Sequence, residues 1–322
     1  MYTLIQITAC SIPYPTASIP RGTSQKFLSS NFGAENRLGN HLFEVFSIFS
    51  IAQKLQRTPI FFIKDGYHEK MLKDVISIVP NLMEQFLVVN GSVPDFIQNT
   101  TFHTKCCKFE NPNVLENIND EYLYLTGTHY QSWKYFPDRR DEFLGYLKPL
   151  RKRLYTLPQS NNFTYVKCVH IRRGDFPAFK IPVADRIFIL NALKFIESKE
   201  KVSRQMTATV FFGDDFEFMH GLRADVPYSF VSQNEPVDDI FYAKNNCDLV
   251  LITAPRSTFG WWLGYFSKGN KTYHMDILYT DDYGIRTGHT TPSDYFLPHW
   301  TPLKYAGVDN FTVVESIKSD FY

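Results

Sequence analysis

Two adjacent arginines, Arg172 and Arg173, followed by Gly174 and Asp175, stand at the end of an apolar run over 165–171. Guanidinium groups are permanently charged and offer forked N–H donors that match the oxygens of a diphosphate. Gly213-Asp214-Asp215 closes a second apolar run, 207–212, and its carboxylates can accept hydrogen bonds from a donor-rich base edge such as that of guanine. Ser257-Thr258 lies between a third run, 248–253, and an apolar helical segment beginning Phe259-Gly260-Trp261-Trp262. Hydroxyls and unpaired backbone N–H groups at a helix N-terminus suit phosphate.

Each of these features has an ordinary account when taken singly: a solvated arginine pair, a helix N-cap with an acid in its first turn, and another cap. Arg173-Gly174-Asp175 also spells an adhesion tripeptide, which is weak evidence at a strand end. The shared placement carries the argument. In open α/β sheets, ligands bind in the crevice beyond the carboxyl ends of the strands. Three such ends with these side chains read together as a nucleotide-diphosphate site. Other chemistries lack their motifs. The chain has no D-x-D, no G-x-x-x-x-G-K-S/T and no G-x-S-x-G; His68-Glu69 lacks the second histidine of a zincin, and Asn36-Arg37-Leu38-Gly39-Asn40 is not a dinucleotide fingerprint.

The elements that must position these residues alternate between strand and helix. Leu38, Leu42, Val45, Phe46, Phe49, Ala52 and Leu55 recur at helical spacing, and Pro59 stops that helix before a strand at 60–63. A helix is predicted over 67–78, strands at 86–89 and 122–125, and a charged helix around 138–155. After a polar break at 158–162 come a strand (165–171), a helix (184–199), a strand (207–212), a helix (237–245), a strand (248–253) and a helix from Ser257 to about Phe266. Alternation of this kind argues for parallel sheets with crossover helices. Two such runs predict two Rossmann-like domains, an N-terminal one over 31–157 and a C-terminal nucleotide-binding one over 158–322, after a Pro/Ser/Thr-rich, disordered stem or linker over 1–30.

The 322 residues carry a net charge of +1, so no basic face is implied and nucleic acid is not an expected partner. The 29 Phe and 19 Tyr are first accounted for by core packing, although aromatic faces also suit sugar rings. The five cysteines contain no C-x-x-C, and their count alone leaves pairing open. Sequons at Asn90, Asn99, Asn162, Asn270 and Asn310 point toward the secretory pathway, whereas no stretch reads as a signal peptide or a membrane span.

The segment Val169-His170-Ile171-Arg172-Arg173-Gly174-Asp175-Phe176 resembles the H-x-R-R-G-D motif of the α-1,2-fucosyltransferases, glycosyltransferase family 11. Phe211-Phe212-Gly213-Asp214-Asp215 is similar to the second motif of that family. Cys247-Asp248-Leu249-Val250 followed by Ser257-Thr258-Phe259-Gly260-Trp261-Trp262 resembles the third. Asn36-Arg37-Leu38-Gly39-Asn40-His41 resembles the opening G-R-L-G-N-Q, with Asn36 and His41 as departures, and Arg57-Thr58-Pro59-Ile60 is in the style of nematode members.

The resemblance implies a GT-B fold of two facing Rossmann-like domains. It implies inverting transfer of fucose from GDP-fucose, without metal or other cofactor, to a galactose-containing glycan through an α-1,2 link. It further implies that Arg172 neutralises the β-phosphate and Arg173 supports the site, that His170 and Asp215 contact the nucleotide beside Asp214, that Ser257 and Thr258 lie at the phosphates, that Phe259 belongs to the GDP-fucose site, and that Asn40 reaches the cleft from the first domain. A Golgi location follows from the same resemblance, with membrane contact through a family-type anchor not visible in the chain. Two alternatives stay open on the residues: a catalytically silent glycan- or nucleotide-binding relative, and a transferase that modifies protein Ser/Thr.

Overall fold

The structure, a computed structural model, describes residues 14–103, 105, 107–148, 157–200 and 203–317. The first half forms a five-stranded sheet from β1 (Phe27–Ser30), β2 (Thr58–Ile63), β3 (Leu87–Asn90), β4 (Asn99–Thr100) and β5 (Tyr122–Leu125). Its order is β3-β2-β1-β5-β4, and every pair is parallel. The second half forms a seven-stranded sheet from β6 (Thr164–Ile171), β7 (Met206–Gly213), β8 (Ser229–Val231), β9 (Leu249–Ile252), β10 (Thr272–Met275), β11 (Thr301–Gly307) and β12 (Asn310–Glu315). Its order is β12-β11-β10-β9-β6-β7-β8, parallel except for the terminal β11–β12 hairpin. Two α/β sheets with crossover helices make the GT-B arrangement.

The helices named below are α1 (Leu38–Lys54), α2 (Gly66–Ile78), α3 (Pro80–Met83), α4 (Arg140–Tyr146), α5 (Arg186–Glu200), α6 (Phe216–Arg223), α7 (Pro236–Asn246) and α8 (Thr258–Phe266). The disordered stem expected over 1–30 does not reach its end: Phe27–Ser30 is the middle strand of the first sheet, and the Ala17 backbone N–H donates to Val88 O at 2.9 Å. Four residues between polar Lys26 and Asn31 are too short a run to show a period. Their burial comes from neighbours on both sides of the sheet. The stem's first part, residues 1–13, lies outside the described residues. Of the charged helix expected around 138–155, α4 forms Arg140–Tyr146 and stops where Leu147 turns extended, and 149–155 lie outside the described residues.

The two sheets share an interior. Helix α8 is apolar all round (TFGWWLGYF), and such a helix must be covered on every side. Trp261 and Trp262 are fully buried, with Phe43 of α1 against both rings at centroid distances of 4.6 and 4.9 Å, and Phe46 against Trp262 at 5.1 Å. Each such aromatic pair is worth about 0.5–1.5 kcal/mol beyond the area it buries. The Trp262 indole N–H donates across the junction to Gly39 O at 2.9 Å. A disulfide joins Cys168 in β6 to Cys247 at the end of α7, both buried, with Cα atoms 5.6 Å apart.

Candidate active site

Strand order fixes where a ligand can sit. In the second sheet the chain leaves β6 in one direction, to β7 and β8, and returns on its other side with β9 and β10. The crevice therefore opens between β6 and β9, where the strand ends splay. The clamp segment 172–175 follows β6, and Ser257-Thr258 follows β9. The first sheet reverses in the same way between β1 and β5, which places the loops after Ser30 and after Leu125 at its own crevice. The two crevices meet. Arg37 pairs with Asp175 across the cleft at 3.2 Å, and Thr258 Oγ1 donates to Asn40 Oδ1 at 2.7 Å.

Within the clamp, the Arg172 guanidinium reaches Asp214 with one nitrogen and Asp175 with another. Asp214 Oδ1 also accepts from the backbone N–H groups of Arg173 (2.9 Å) and Gly174 (3.3 Å), so it organises the loop that carries both arginines. Arg173 has three partners: it donates to Ala184 O at 3.2 Å, pairs with Asp215 at 3.4 Å and lies over the Phe218 ring at 4.2 Å. Asp215 caps α6, accepting from the Phe218 N–H at 3.0 Å. Asp214 and Asp215, expected to accept hydrogen bonds from a base edge, already have partners within the protein. One organises the arginine loop, and the other divides its oxygens between a helix cap and Arg173. With Arg37, three guanidinium groups face three carboxylates, so the cluster is charge-balanced.

The expectation for His170 is corrected. It points to the α8 side of β6 and is 2 % exposed, beneath the site rather than in it. Its neighbours Val169 and Ile171 face the opposite core, as strand alternation requires. Burial, aided by Arg172 and opposed by Asp214, pushes its pKa down to about 3, so the ring is neutral. Its Nε2 lies 3.3 Å from Ser257 Oγ, and that hydroxyl caps α8 by accepting from the Gly260 N–H at 3.3 Å. A side chain at position 260 would stand 2.5 Å from His170 Nδ1, so glycine lets the imidazole support the helix start. Phe259 is half-buried and tilted against the same ring at 6.0 Å.

Asn40 is the best-placed polar group on the opposite wall. Its Oδ1 accepts from Thr258 Oγ1 and from Gln131 Nε2 (3.1 Å), which fixes the amide's orientation. The Nδ2 group makes no hydrogen bond with the described residues and is left to donate. Thr258 thus spends its hydroxyl on Asn40, while the N–H groups of the first turn of α8 face the cleft end of the helix.

The comparisons with known proteins bear on this cleft. The family model of glycosyl transferase family 11 matches residues 3–304. The chain belongs to glycosyl transferase family 11. It is 48 % identical over 316 residues to a Caenorhabditis elegans protein named "Putative galactoside 2-alpha-L-fucosyltransferase svh-11", covering 95 % of this chain and 87 % of that one. It is 30 % identical over 302 residues to a C. elegans galactoside 2-alpha-L-fucosyltransferase, covering 83 % and 74 %. Among solved structures it is similar to NodZ alpha-1,6-fucosyltransferase soaked with GDP-fucose, at 12 % identity and a TM-score of 0.48, over 80 % of this chain and 97 % of that one.

In this family 11 glycosyltransferase, the first-sheet wall of the cleft contains residues that sequence reasoning passed over. Glu44 of α1 is fully buried, and its Oε1 accepts from the backbone N–H groups of Gly33 (3.0 Å) and His129. These belong to the two loops of the first crevice. Burial pushes the carboxyl pKa up to about 7 against the pull of those donors and of Lys64. The His129 ring lies between Asn36 Nδ2 at 3.1 Å and Thr128 Oγ1 at 2.9 Å, and burial and Arg256 hold its pKa below the usual imidazole value. His129 and Tyr130 both have left-handed backbone, with φ of 73° and 38°, a cost that the surrounding fold over-determines. Gln131 lies 91 residues from Asn40, and Glu44 lies 85 from His129. Spacing carries no signal at that range.

Proposed function

We propose that this enzyme transfers fucose from GDP-fucose to a galactose-containing glycan, with inversion, without a metal ion, and with formation of an α-1,2 link. The observation that carries the reading is the convergence of the Arg172 clamp and the α8 N-terminus on one side of the cleft with the free amide donors of Asn40 on the other. The names of these relatives support fucose as the sugar and galactose as the acceptor. Five exposed sequon asparagines and a buried disulfide support a secretory-pathway location such as the Golgi lumen. Among the described residues, no helix is long and apolar enough to cross a membrane.

The residues suggest how the reaction is helped. Breaking the bond between the sugar anomeric carbon and GDP leaves negative charge on the β-phosphate. Interactions that strengthen as this charge grows lower the barrier. Asp175 is shared by Arg172 and Arg37, so a diphosphate that takes its place gains two guanidinium groups at once. The N–H groups and partial positive charge of the α8 N-terminus act on the same anion. Asn40 Nδ2, aimed by its two hydrogen-bonded donors, orients the reacting sugars. Arg172→Lys keeps the charge and loses the fork, so kcat should fall by roughly 10²-fold or more. The assay is GDP release at saturating GDP-fucose in excess EDTA, with a thermal melt beside it. A folded Arg172→Ala enzyme with near-parent turnover would end the clamp assignment, and activity lost in EDTA and restored by Mn²⁺ would end metal independence.

A further inference from the structure

A cavity of about 570 Å³ opens beside the clamp, at the junction of the two halves. Its wall on one side is the loop that continues from Asp175, whose carbonyl accepts from the Phe179 N–H at 3.2 Å. Arg256, the residue just before the Ser257 cap, forms its floor, and Lys105 closes it from the first half. The cavity is therefore next to the proposed diphosphate site without using any residue of it.

Three features give it a chemistry. Arg256 is held still: Asp282 lies 3.2 Å away and Thr290 Oγ1 accepts from it at 3.0 Å, while Asp282, 3 % exposed, also accepts from the Ile285 N–H at 2.9 Å. Two large rings stand in solvent on the rim, Phe179 at 72 % and Tyr283 at 64 % exposure. Exposed aromatics bordering a cavity mark a surface that a ligand covers, and a flat ring fits the C–H face of a pyranose. Finally, charge is unbalanced. Among the described residues the only lining carboxylate, Asp282, is already taken by Arg256, and neither Lys105 nor Lys180 forms an ion pair. The nearby Asp281 pairs with Arg286 instead.

We propose that this cavity is the acceptor subsite and that the acceptor is an acidic glycan, with one pyranose between Phe179 and Tyr283 and a carboxylate or sulfate group paired with Lys105 and Lys180. The proposal rests on the reading of the adjoining cleft as the site of glycosyl transfer. The test uses two matched galactose-containing disaccharides, one neutral and one sulfated, with a uronic-acid-containing disaccharide as a third arm to tell sulfate from carboxylate. Binding to the full chain is followed by saturation-transfer NMR, KM by GDP release, and GDP affinity by calorimetry. The sulfated or uronic compound should bind about 10-fold more tightly than the neutral one, the scale of two solvent-exposed charge pairs, and added salt should erase the difference. The double variant Lys105→Gln/Lys180→Gln should lose this preference and keep parent affinity for GDP. Phe179→Ala should weaken all three disaccharides and leave the melting temperature unchanged. Equal binding of acidic and neutral compounds by the parent, or a preference that survives the double variant, would overturn the proposal. Binding with the stated preference but no turnover would uphold the subsite and count against the donor reading alone.

Discussion

Gly39 sits where the two halves touch, and Gly39→Ala tests whether that contact is as rigid as its packing implies. A Cβ there would stand 2.6 Å from the Phe259 backbone N and 2.6 Å from Thr258 Oγ1. Ordinary contact begins near 3.4 Å, so α1 and α8 must separate by about 0.8 Å. The obstacle is backbone at a helix start, which has no rotamer to change. Overpacking of this kind costs about 1–3 kcal/mol, and the Trp262 bond to Gly39 O is stretched in addition. The melting temperature should fall by about 2–4 °C for each kcal/mol.

Activity should fall further than stability, because the parts pushed apart are Asn40 and Thr258, one on each wall of the cleft. A displacement near 1 Å can cost about 10²-fold. Differential scanning fluorimetry and GDP release measure the two effects. Gly145→Ala, in α4 with nothing within 4 Å of the added carbon, is the control and should stabilise by about 0.5–1 kcal/mol. A Gly39→Ala protein with parent melting temperature and parent kcat would show that the α1–α8 contact gives way easily, and the rigid-cleft reasoning would be wrong.

Asn40→Asp keeps both acceptor contacts but removes the amide donors, so kcat should drop about 10²-fold at unchanged melting temperature; an unchanged kcat would remove Asn40 from the mechanism. Glu44 carries a raised folded pKa, about 7 against an ordinary 4.5, so the folded state holds the extra proton between those values. Stability from this group is lost as pH rises through that window, by about 3 kcal/mol in all. Glu44→Gln should flatten this fall, which denaturant melts at pH 5 and pH 8 would show. His170 acts with the opposite sign: lowered to about 3, it removes stability as pH falls below 6.5. Replacing Cys168 and Cys247 together by alanine should cost about 2–5 kcal/mol, and a melt unaffected by the change would argue that the bond is dispensable.

The three strands that present the clamp and the α8 cap were legible because each is a continuous apolar run. The expected 165–171, 207–212 and 248–253 fall close to the observed β6, β7 and β9. What could not be read was how the polar atoms are distributed. Asp215 and Asp214 look equivalent in sequence. Only the fold shows one capping α6 and the other gathering two backbone N–H groups with Arg172. His170 was placed on the right strand end, but the alternation that turns it under α8 matters only once that helix is packed there. Helix α1 reads as a one-sided amphipathic helix, yet it is buried at every position from His41 to Ala52 because α2, α8 and the first sheet enclose it. Glu44 disappears inside for the same reason. β1 went unread because four residues, two of them serine, give no period.

The aromatic junction between α1 and α8 also bears on how the chain is made. Trp262 and Gly39 are 223 positions apart. At about 5–20 residues per second, the ribosome completes α8 on the order of tens of seconds after α1 has emerged. Throughout that interval Phe43 and Phe46 lack the indoles that cover them in the finished molecule. The first sheet therefore cannot complete its folding until α8 has been made, and until then the nascent chain presents an uncovered aromatic face to whatever waits at the exit of the ribosome or across the translocation pore. Truncated chains ending before α8 should accumulate on chaperones, whereas those extended past Phe266 are released.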